Sequence, residues 1–569
     1  MDEPEPSPAI DDDTHLFKHC DQLLDSLLDS HLPQIQCFRG KWSLIATKLN
    51  NLRTRLHDLA DFSPAATDTA SISEDVLASV FATLTEAVSV SERCRNPSLA
   101  DGKLRTQSDI NSLVARLDRD LRDCDVLIRS GLLHEQQRRQ VTDADSTEAA
   151  VTENREAVRI ELRSVLTRLQ IGASESKSAA VDSLLRLLNA DDKNVLIAIE
   201  QGVVPVLARL LDSVSIEMKE KAVAAIARVS VVDSTKLIAE GLLLLNHLIR
   251  VIESGSGAAK ERACVALQAL SLSKENARAI GSRGGISSLL EICQAGTPSS
   301  QAVAAGVLRN LSRFEENKEN FIEENAISVL IALSRSGTMV AREEAMRCLA
   351  YLVCNDDSLK MLFARQGVIE SLKGYLDSSP VERSLEAAME LVRNLASYQA
   401  VGEVLISEGF IGRLVLALSC GVLGVRTAAA GAVYGLGFSS KTRKELGECG
   451  CIGPLAKMLE SKAMEEREAA AMALSRLLLY AGNRKLFKKE ESGVIGVVLL
   501  LDHSIQNMDK KWPVSVLASM AHSKKCRKQM VAAGVCLRLQ KLVELDVDGA
   551  KKLSDSLGRG KIWGVFAKP

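Results

Sequence analysis

"QGVIESLKGYLDSSPVERSLEAAMELVRNLASYQAVGEVLISEG", Gln366–Gly409, is the stretch whose reading decides the fold. Between Gly367 and Gly409 it holds three apolar patterns separated by polar turns. Ile369, Leu372 and Leu376 form a first stripe at helical spacing. Leu385, Ala388, Met389, Val392, Leu395 and Ala396 form a longer one, and "VGEVLISE" returns the chain to the second glycine. Three helices and a glycine break make one unit.

The unit recurs. Segments such as "QGVVPVLARLL", "RGGISSLLEI", "ENAISVLIAL", "EGFIGRLVLAL" and "AGVCLRLQKLV" align on Gly202, Gly241, Gly284, Asn325, Gly367, Gly409, Gly450, Gly493 and Gly534. Successive differences are 39, 43, 41, 42, 42, 41, 43 and 41 residues, which chance does not produce. Glycine and asparagine are the residues that best tolerate left-handed backbone, so the anchors mark chain breaks. Small residues in the longer helices, as in "TAAAGAVYGLG", let neighbours approach closely. No unit can bury its own apolar faces, so the units must stack.

Composition agrees. Apolar residues are 46% of the 569, charged ones 25% and aromatics only 3%, a bias toward Leu, Ala, Val and Ile that suits close-packed helices. A net charge of −2 argues against a protein that coats nucleic acid. The 13 cysteines are scattered with no C-x-x-C pair, which predicts free thiols in a reducing compartment. "MDEPEPSPAIDDD" is acidic and lacks the apolar core of a secretory signal. Apolar runs such as "GVIGVVLLL" fall short of the roughly 18 residues of a membrane span.

The pattern G-x-I-x-x-L-x-x-L-L, then A-A-x-x-L-x-N-L, then a short amphipathic helix resembles the armadillo repeat, over about 155 to 545. HEAT repeats are the structural alternative, but they usually have two helices and no glycine-led third. The resemblance implies a concave groove lined by the long third helices, where the family's asparagine hydrogen-bonds the backbone of an extended peptide. An amide offers both donor and acceptor, so it can satisfy a peptide unit as a neighbouring strand would. The corresponding positions are Arg186, Arg228, Ala269, Asn310, Tyr351, Asn394, Gly435, Arg476 and Ser519, and two keep asparagine. Nuclear-import receptors of the importin-alpha type place Trp four residues before that Asn. Here those positions are Gly306 and Glu390, and Trp42, Trp512 and Trp563 are elsewhere. A receptor for basic import signals is therefore not expected.

Asn310 and Asn394, each after an arginine in "VLRNLSR" and "LVRNLAS", are the residues expected to grip a peptide backbone. Arg228, Arg309, Arg347, Tyr351, Arg393, Tyr434 and Arg476 complete the expected partner-binding set, with Tyr398 and Tyr480 as further candidates. Arg and Tyr are favoured interface anchors, and Arg pairs bidentately with carboxylates. Glu343, Glu386 and Glu468 on the same helices dilute this charge. The expected ligand is an extended, acidic or phosphorylated protein segment.

Residues 14–135 do not repeat. "HLFKHCDQLLDSLLDSHL", "KWSLIATKLNNLRTRLHDLADF", "EDVLASVFATLTEAVSVSERC" and "SDINSLVARLDRDLRDCDVLI" show the apolar spacing of four amphipathic helices, read as an up-and-down bundle. The stretch from "SERCRNPSLADGKLRTQ" to "VLIRSGLL" resembles the helical N-terminal domain of plant armadillo proteins, including U-box ubiquitin ligases and scaffolds of the vacuolar-protein-8 type. No U-box motif lies between bundle and repeats. The C-terminal "LGRGKIWGVFAKP" sets Trp563 and Phe566 among Arg559, Lys561 and Lys568, either a cap on the last repeat or a contact with an anionic membrane.

Little chemistry is encoded. His15, His19 and Cys20 have metal-ligand spacing without a fourth ligand. "GLGFSSKT" at Gly435–Thr442 has Ser440 where a phosphate loop needs glycine, and it follows a helix rather than a strand. Cys449 and Cys451 flank a repeat turn. No nucleophile, base and oxyanion donor converge, so neither an enzyme nor a cofactor nor a metal is expected. The expectation is an all-α chain, an N-terminal helical bundle followed by a right-handed armadillo superhelical solenoid. Its divisions are a disordered acidic stretch at 1–13, the bundle at 14–135, a linker at 136–155, about nine repeats at 156–548 and a basic and aromatic tail at 549–569. It would act as a non-catalytic, cytoplasmic protein-interaction scaffold, with no nucleic-acid partner. A ligase-associated regulatory subunit, a peripheral membrane adaptor and a nuclear location stay open.

Overall fold

Left-handed backbone recurs once in nearly every repeat. Gly202, Gly284, Gly367, Gly409, Gly450 and Gly534 have φ between 77° and 100°, and Asn325 takes the same region at 51°. Each separates two helices at a point where an ordinary side chain would be strained. Gly241 and Gly493 instead open the helices Gly241–Ser254 and Gly493–Leu499. At Gly493 the constraint is space, because a Cβ there would stand 2.9 Å from the Phe487 ring.

The computed structural model describes residues 12–60, 67–96, 102–129, 147–239, 241–354, 356–378, 381–490, 492–506 and 508–558. Their regular structure is helical, and the chain divides into two compact units, 1–248 and 249–569.

In the first unit, α1 (Asp12–Asp25), α2 (Arg39–Ala60), α3 (Thr67–Cys94) and α4 (Lys103–Arg129) bury one apolar stripe each: Leu24 from α1, Ile45, Leu49 and Leu52 from α2, Val80 and Leu84 from α3, Ile110, Leu113 and Leu117 from α4. The main pairings are α1 with α3, α2 with α4 and α3 with α4. An up-and-down bundle would have α2 beside α3; here those two are not main neighbours, which corrects the sequence reading. Periodicity states which face is buried, not which helix covers it. Helix α5 (Thr147–Ile171) packs on α3, α4 and α6 (Ser174–Ala190). It begins inside the segment read as a linker, whose residues 136–146 lie outside the described residues. The first unit also holds α7 (Ile216–Val232), which packs on α6.

In the second unit the long third helices are α8 (Gly257–Leu270), α9 (Pro298–Ser312), α10 (Met339–Leu352), α11 (Leu385–Ala396), α12 (Leu423–Leu436), α13 (Met464–Leu477) and α14 (Lys511–Met520). Each packs on the next, the stacking the repeat requires. Ser215, Ser256, Thr297 and Thr338, spaced 41 residues apart, cap four successive long helices by accepting from Met218, Ala259, Ser300 and Ala341 N–H. Such caps are worth about 1 kcal/mol each. Alanines such as Ala304, Ala345, Ala388, Ala429 and Ala470 are buried between neighbouring long helices. The core is a continuous solenoid layer rather than one globule.

Helix Ala550–Gly558 packs on α14 and on Val535–Glu544, burying Leu553 and Leu557. The segment read as a tail from 549 therefore starts as the third helix of a further, terminal unit. Trp563 and Phe566, and the acidic stretch 1–11, lie outside the described residues. Among the described residues no helix is long and apolar enough to cross a membrane.

Candidate partner-binding face

At four of the nine register positions of the third helices the side chain ties one repeat to the next. Asn310 is 3% exposed, and its Nδ2 donates to Gln268 O at 3.0 Å and Ser271 Oγ at 2.9 Å. Asn394 Nδ2 donates to Ala350 O at 2.9 Å. Arg228 Nε donates to Leu188 O at 3.0 Å and its guanidinium pairs with Asp192, while Arg476 Nη1 donates to Tyr434 O at 3.0 Å. The four backbone acceptors, Leu188 O, Gln268 O, Ala350 O and Tyr434 O, lie in the last turn of the preceding long helix, where carbonyls lack intrahelical donors. One position thus supplies an inter-repeat staple, by asparagine or by arginine. This corrects the expectation that Asn310 offers its amide to a ligand: its donor is spent and the side chain is covered.

Where the register residue is Gly435 there is no room for a staple. A Cβ would stand 2.6 Å from Ala396 O, so α11 and α12 touch backbone to backbone. Tyr351 is half-buried, with the Arg313 guanidinium 6.0 Å from its ring centroid.

The other candidate arginines are mostly engaged within the chain. Arg309 Nε lies 3.1 Å from Glu344 Oε2, an ion pair whose alignment makes no hydrogen bond. Burial pushes the Glu344 carboxyl up, and Arg309 and Arg347 pull it back in part. Arg347 Nη2 donates to Glu343 Oε1 at 2.8 Å, and Ser384 Oγ donates to the other Glu343 oxygen at 2.8 Å. Arg393 is different. Its side chain is 44% exposed and its nearest carboxylate, Glu390, is 3.8 Å away.

Four predicted residues meet in one cavity of about 320 Å³ across α11, α12 and α13, lined by Arg393, Asn394, Ser397, Gly431, Tyr434, Gly435, Met472 and Arg476. No carboxylate is in that lining. The stem of Arg393 lies over Gly431, where a Cβ would meet Cδ at 2.6 Å. Arg476 stacks on Tyr434 at 3.9 Å, Tyr434 meets Trp512 edge-on at 5.4 Å, and Lys511 Nζ sits 4.4 Å from the Trp512 ring centroid. Cation, ring, ring and cation form a rigid wall beside the cavity. Arg228, Arg309, Arg347 and Tyr351 are not among its lining residues.

Trp512 was excluded in the sequence because it does not stand four residues before the register position. It stands seven before Ser519, two helical turns, and so shares that face. Two buried asparagines were also missed. Asn317 Nδ2 donates to Leu311 O at 3.1 Å and Ala277 O at 3.4 Å; Asn483 Nδ2 donates to Leu477 O at 3.0 Å and Arg443 O at 2.7 Å. Each closes the long helix before it and ties its own short helix to the short helix one repeat earlier. The signal was present as "EEN" at 315–317 and "AGN" at 481–483, near the starts of short helices.

A larger cavity of about 850 Å³ includes Arg335, Arg342, Glu370, Lys373, Asp377 and Glu408 in its lining. Most of its charges are paired in place, through Arg335–Glu370 at 3.2 Å and Lys373–Glu408 at 3.1 Å, with Asp377 paired to Arg413 at 2.6 Å, while Arg342 donates to Ser334 O at 2.8 Å and Ser378 Oγ at 3.0 Å. Among the described residues no three His, Cys, Asp or Glu side chains are set to hold a metal. Cys20 is buried, its thiol donating to Leu77 O at 3.7 Å and pushed up to about 11 by burial and then Asp120. Cys451 is likewise pushed up to about 12 by burial, with the neighbouring Cys449 adding to it.

Residues 18–132 match a family described as a domain of unknown function, DUF7032, and residues 191–231 match the armadillo/beta-catenin-like repeat. No curated protein matches the chain. Among solved structures, the crystal structure of an engineered protein is similar with a TM-score of 0.61 and 23% identity, over 70% of this chain and 98% of that one. The all-helical fold, the armadillo-repeat match and the DUF7032 match together support the description of an armadillo-like helical protein.

Proposed function

We propose that the chain is a non-catalytic scaffold that holds an extended segment of a partner protein across α11, α12 and α13. An acidic or phosphorylated side chain of that segment sits between Arg393 and Arg476. The supporting observation is the cavity that Arg393 and Arg476 both line, with no carboxylate among its lining residues. Elsewhere on this face Arg309 and Arg347 are neutralised by Glu344 and Glu343, so the positive potential is concentrated here. Arg393 over glycine and Arg476 on an aromatic ring are held in place before binding, which lowers the ordering cost of a charge-assisted contact. Asn394 keeps its carbonyl oxygen available to a backbone N–H while its amide holds α10.

Affinity purification with mass spectrometry on wild type, Arg393→Glu and Arg309→Glu tests this. A discrete partner set lost in Arg393→Glu and kept in Arg309→Glu, with both variants folded by circular dichroism, supports the cavity. A partner set unchanged in Arg393→Glu moves the binding site elsewhere.

A further inference from the structure

The first short helix of each repeat forms a second row, and its charge varies from repeat to repeat: residues 274–283 carry Lys274, Arg278 and Arg283 against Glu275. Over 315–324 five glutamates, at 315, 316, 319, 323 and 324, stand against Lys318. Over 399–408 the only charges are Glu403 and Glu408. In the last two repeats the equivalent helices are Ala481–Phe487 and Lys524–Ala532. Residues 481–490 carry four basic side chains against Glu490, and residues 524–532 carry four with no acid.

Arginines and lysines in this row do different work. Arg484 Nη1 donates to Leu478 O at 3.0 Å and Leu479 O at 3.3 Å, and Arg443, one repeat earlier, donates to Gly437 O at 2.8 Å and Phe438 O at 3.2 Å. These arginines fasten the short helix to the end of the long one before it. Lys485, Lys488, Lys489, Lys524, Lys525 and Lys528 are exposed, and none makes an ion pair among the described residues.

Six ammonium groups on flexible stems make neither a bidentate fork nor a shaped pocket, so they respond to charge density over an area. Exposed aliphatic side chains accompany them. Leu479, 53% exposed, lies at the loop that Arg484 grips. Leu537, 77% exposed, and Leu499, 45% exposed, belong to helices that pack against Lys524–Ala532. Exposed lysines with exposed leucines on neighbouring elements suit the headgroup layer of a bilayer, where the charge meets lipid phosphates and the aliphatics leave water. A nucleic-acid backbone would leave the leucines hydrated. The geometry points to docking of this end of the solenoid, through the lysine row of its last two repeats, on a bilayer surface of anionic phospholipid.

The test is co-sedimentation of the full chain with phosphatidylcholine vesicles, with and without phosphatidylserine. The expected result is binding only to the anionic vesicles, weakening as salt rises. The combined variant Lys485→Glu, Lys488→Glu, Lys524→Glu, Lys525→Glu should lose about a hundred-fold or more in partitioning. Its melting temperature should match wild type, because none of the four side chains holds a partner. A chain ending at Gly558 should still bind, and Arg393→Glu should bind as wild type, which separates this surface from the cavity. The inference is overturned if wild type ignores anionic vesicles at low salt, if the folded variant binds equally, or if removing 559–569 abolishes binding. Lysine-dependent binding to a DNA duplex or an acidic peptide in place of vesicles overturns it as well.

Discussion

Asn310 and Asn394 share one Arg-Asn frame and differ in surroundings. Asn310 is covered and makes two donor contacts, whereas Asn394 is half-buried and makes one. Asn310→Ala leaves Gln268 O and Ser271 Oγ without that donor, and we expect a loss of about 1–3 kcal/mol in denaturant unfolding. Asn394→Ala should cost less, about 0.5–1.5 kcal/mol, because water can replace the donor. Equal effects at the two sites would contradict the difference in burial. The sequence located both residues and the helix that carries them. It did not give the direction of the amide, because the acceptor comes from a residue 42 or 44 positions earlier. Arg393 and Arg309 look alike in sequence for the same reason: Glu344, the partner that neutralises Arg309, is on another helix.

At the scale of the element, what joins one long helix to the next varies along the solenoid. Between α11 and α12 it is backbone contact at Gly435, so Gly435→Ala should cost about 1–3 kcal/mol by overpacking. A neutral result in thermal unfolding would mean the two helices can move apart freely. Between α12 and α13 an ion pair adds to the Arg476 staple, with Arg426 Nε 2.6 Å and Nη2 2.9 Å from the two oxygens of Glu466 and Ser461 Oγ 2.6 Å from the second. Burial raises the Glu466 carboxyl, and the Arg426 and Ser461 hydrogen bonds outweigh it, leaving it below its ordinary value of 4.5. The folded state therefore binds that proton less readily than the unfolded chain. The pair's contribution is complete above pH about 4.5 and disappears as pH falls through the lower folded value. Glu466→Gln should lower stability at neutral pH and flatten the acid side of a stability–pH profile between wild type and variant. An unaltered slope would mean that Glu466 does not titrate with folding. Periodicity made the helices legible, but not these joints, since it reports a buried stripe without its partner. The α2 and α3 helices of the bundle are a second case, each with a clear stripe and an unexpected set of neighbours.

At the scale of the whole molecule, a 39- to 43-residue period anchored on glycine and one asparagine carried the architecture, because each anchor answers a local steric demand. Charge did not follow the period. It gathers as two guanidinium groups lining one cavity on the third-helix face and as unpaired lysines on the short helices of the last repeats. The first of these is the centre of the functional reading, and the most direct measurement is covalent capture from inside the cavity. A photocrosslinking amino acid at Ser397, an exposed cavity residue, should yield a discrete adduct with one partner, through an acidic segment of it. The same probe at exposed Glu448, outside the cavity lining, should not, and adding Arg393→Glu should abolish the Ser397 adduct. Equal adducts from both positions, or a Ser397 adduct that survives Arg393→Glu, would contradict the account.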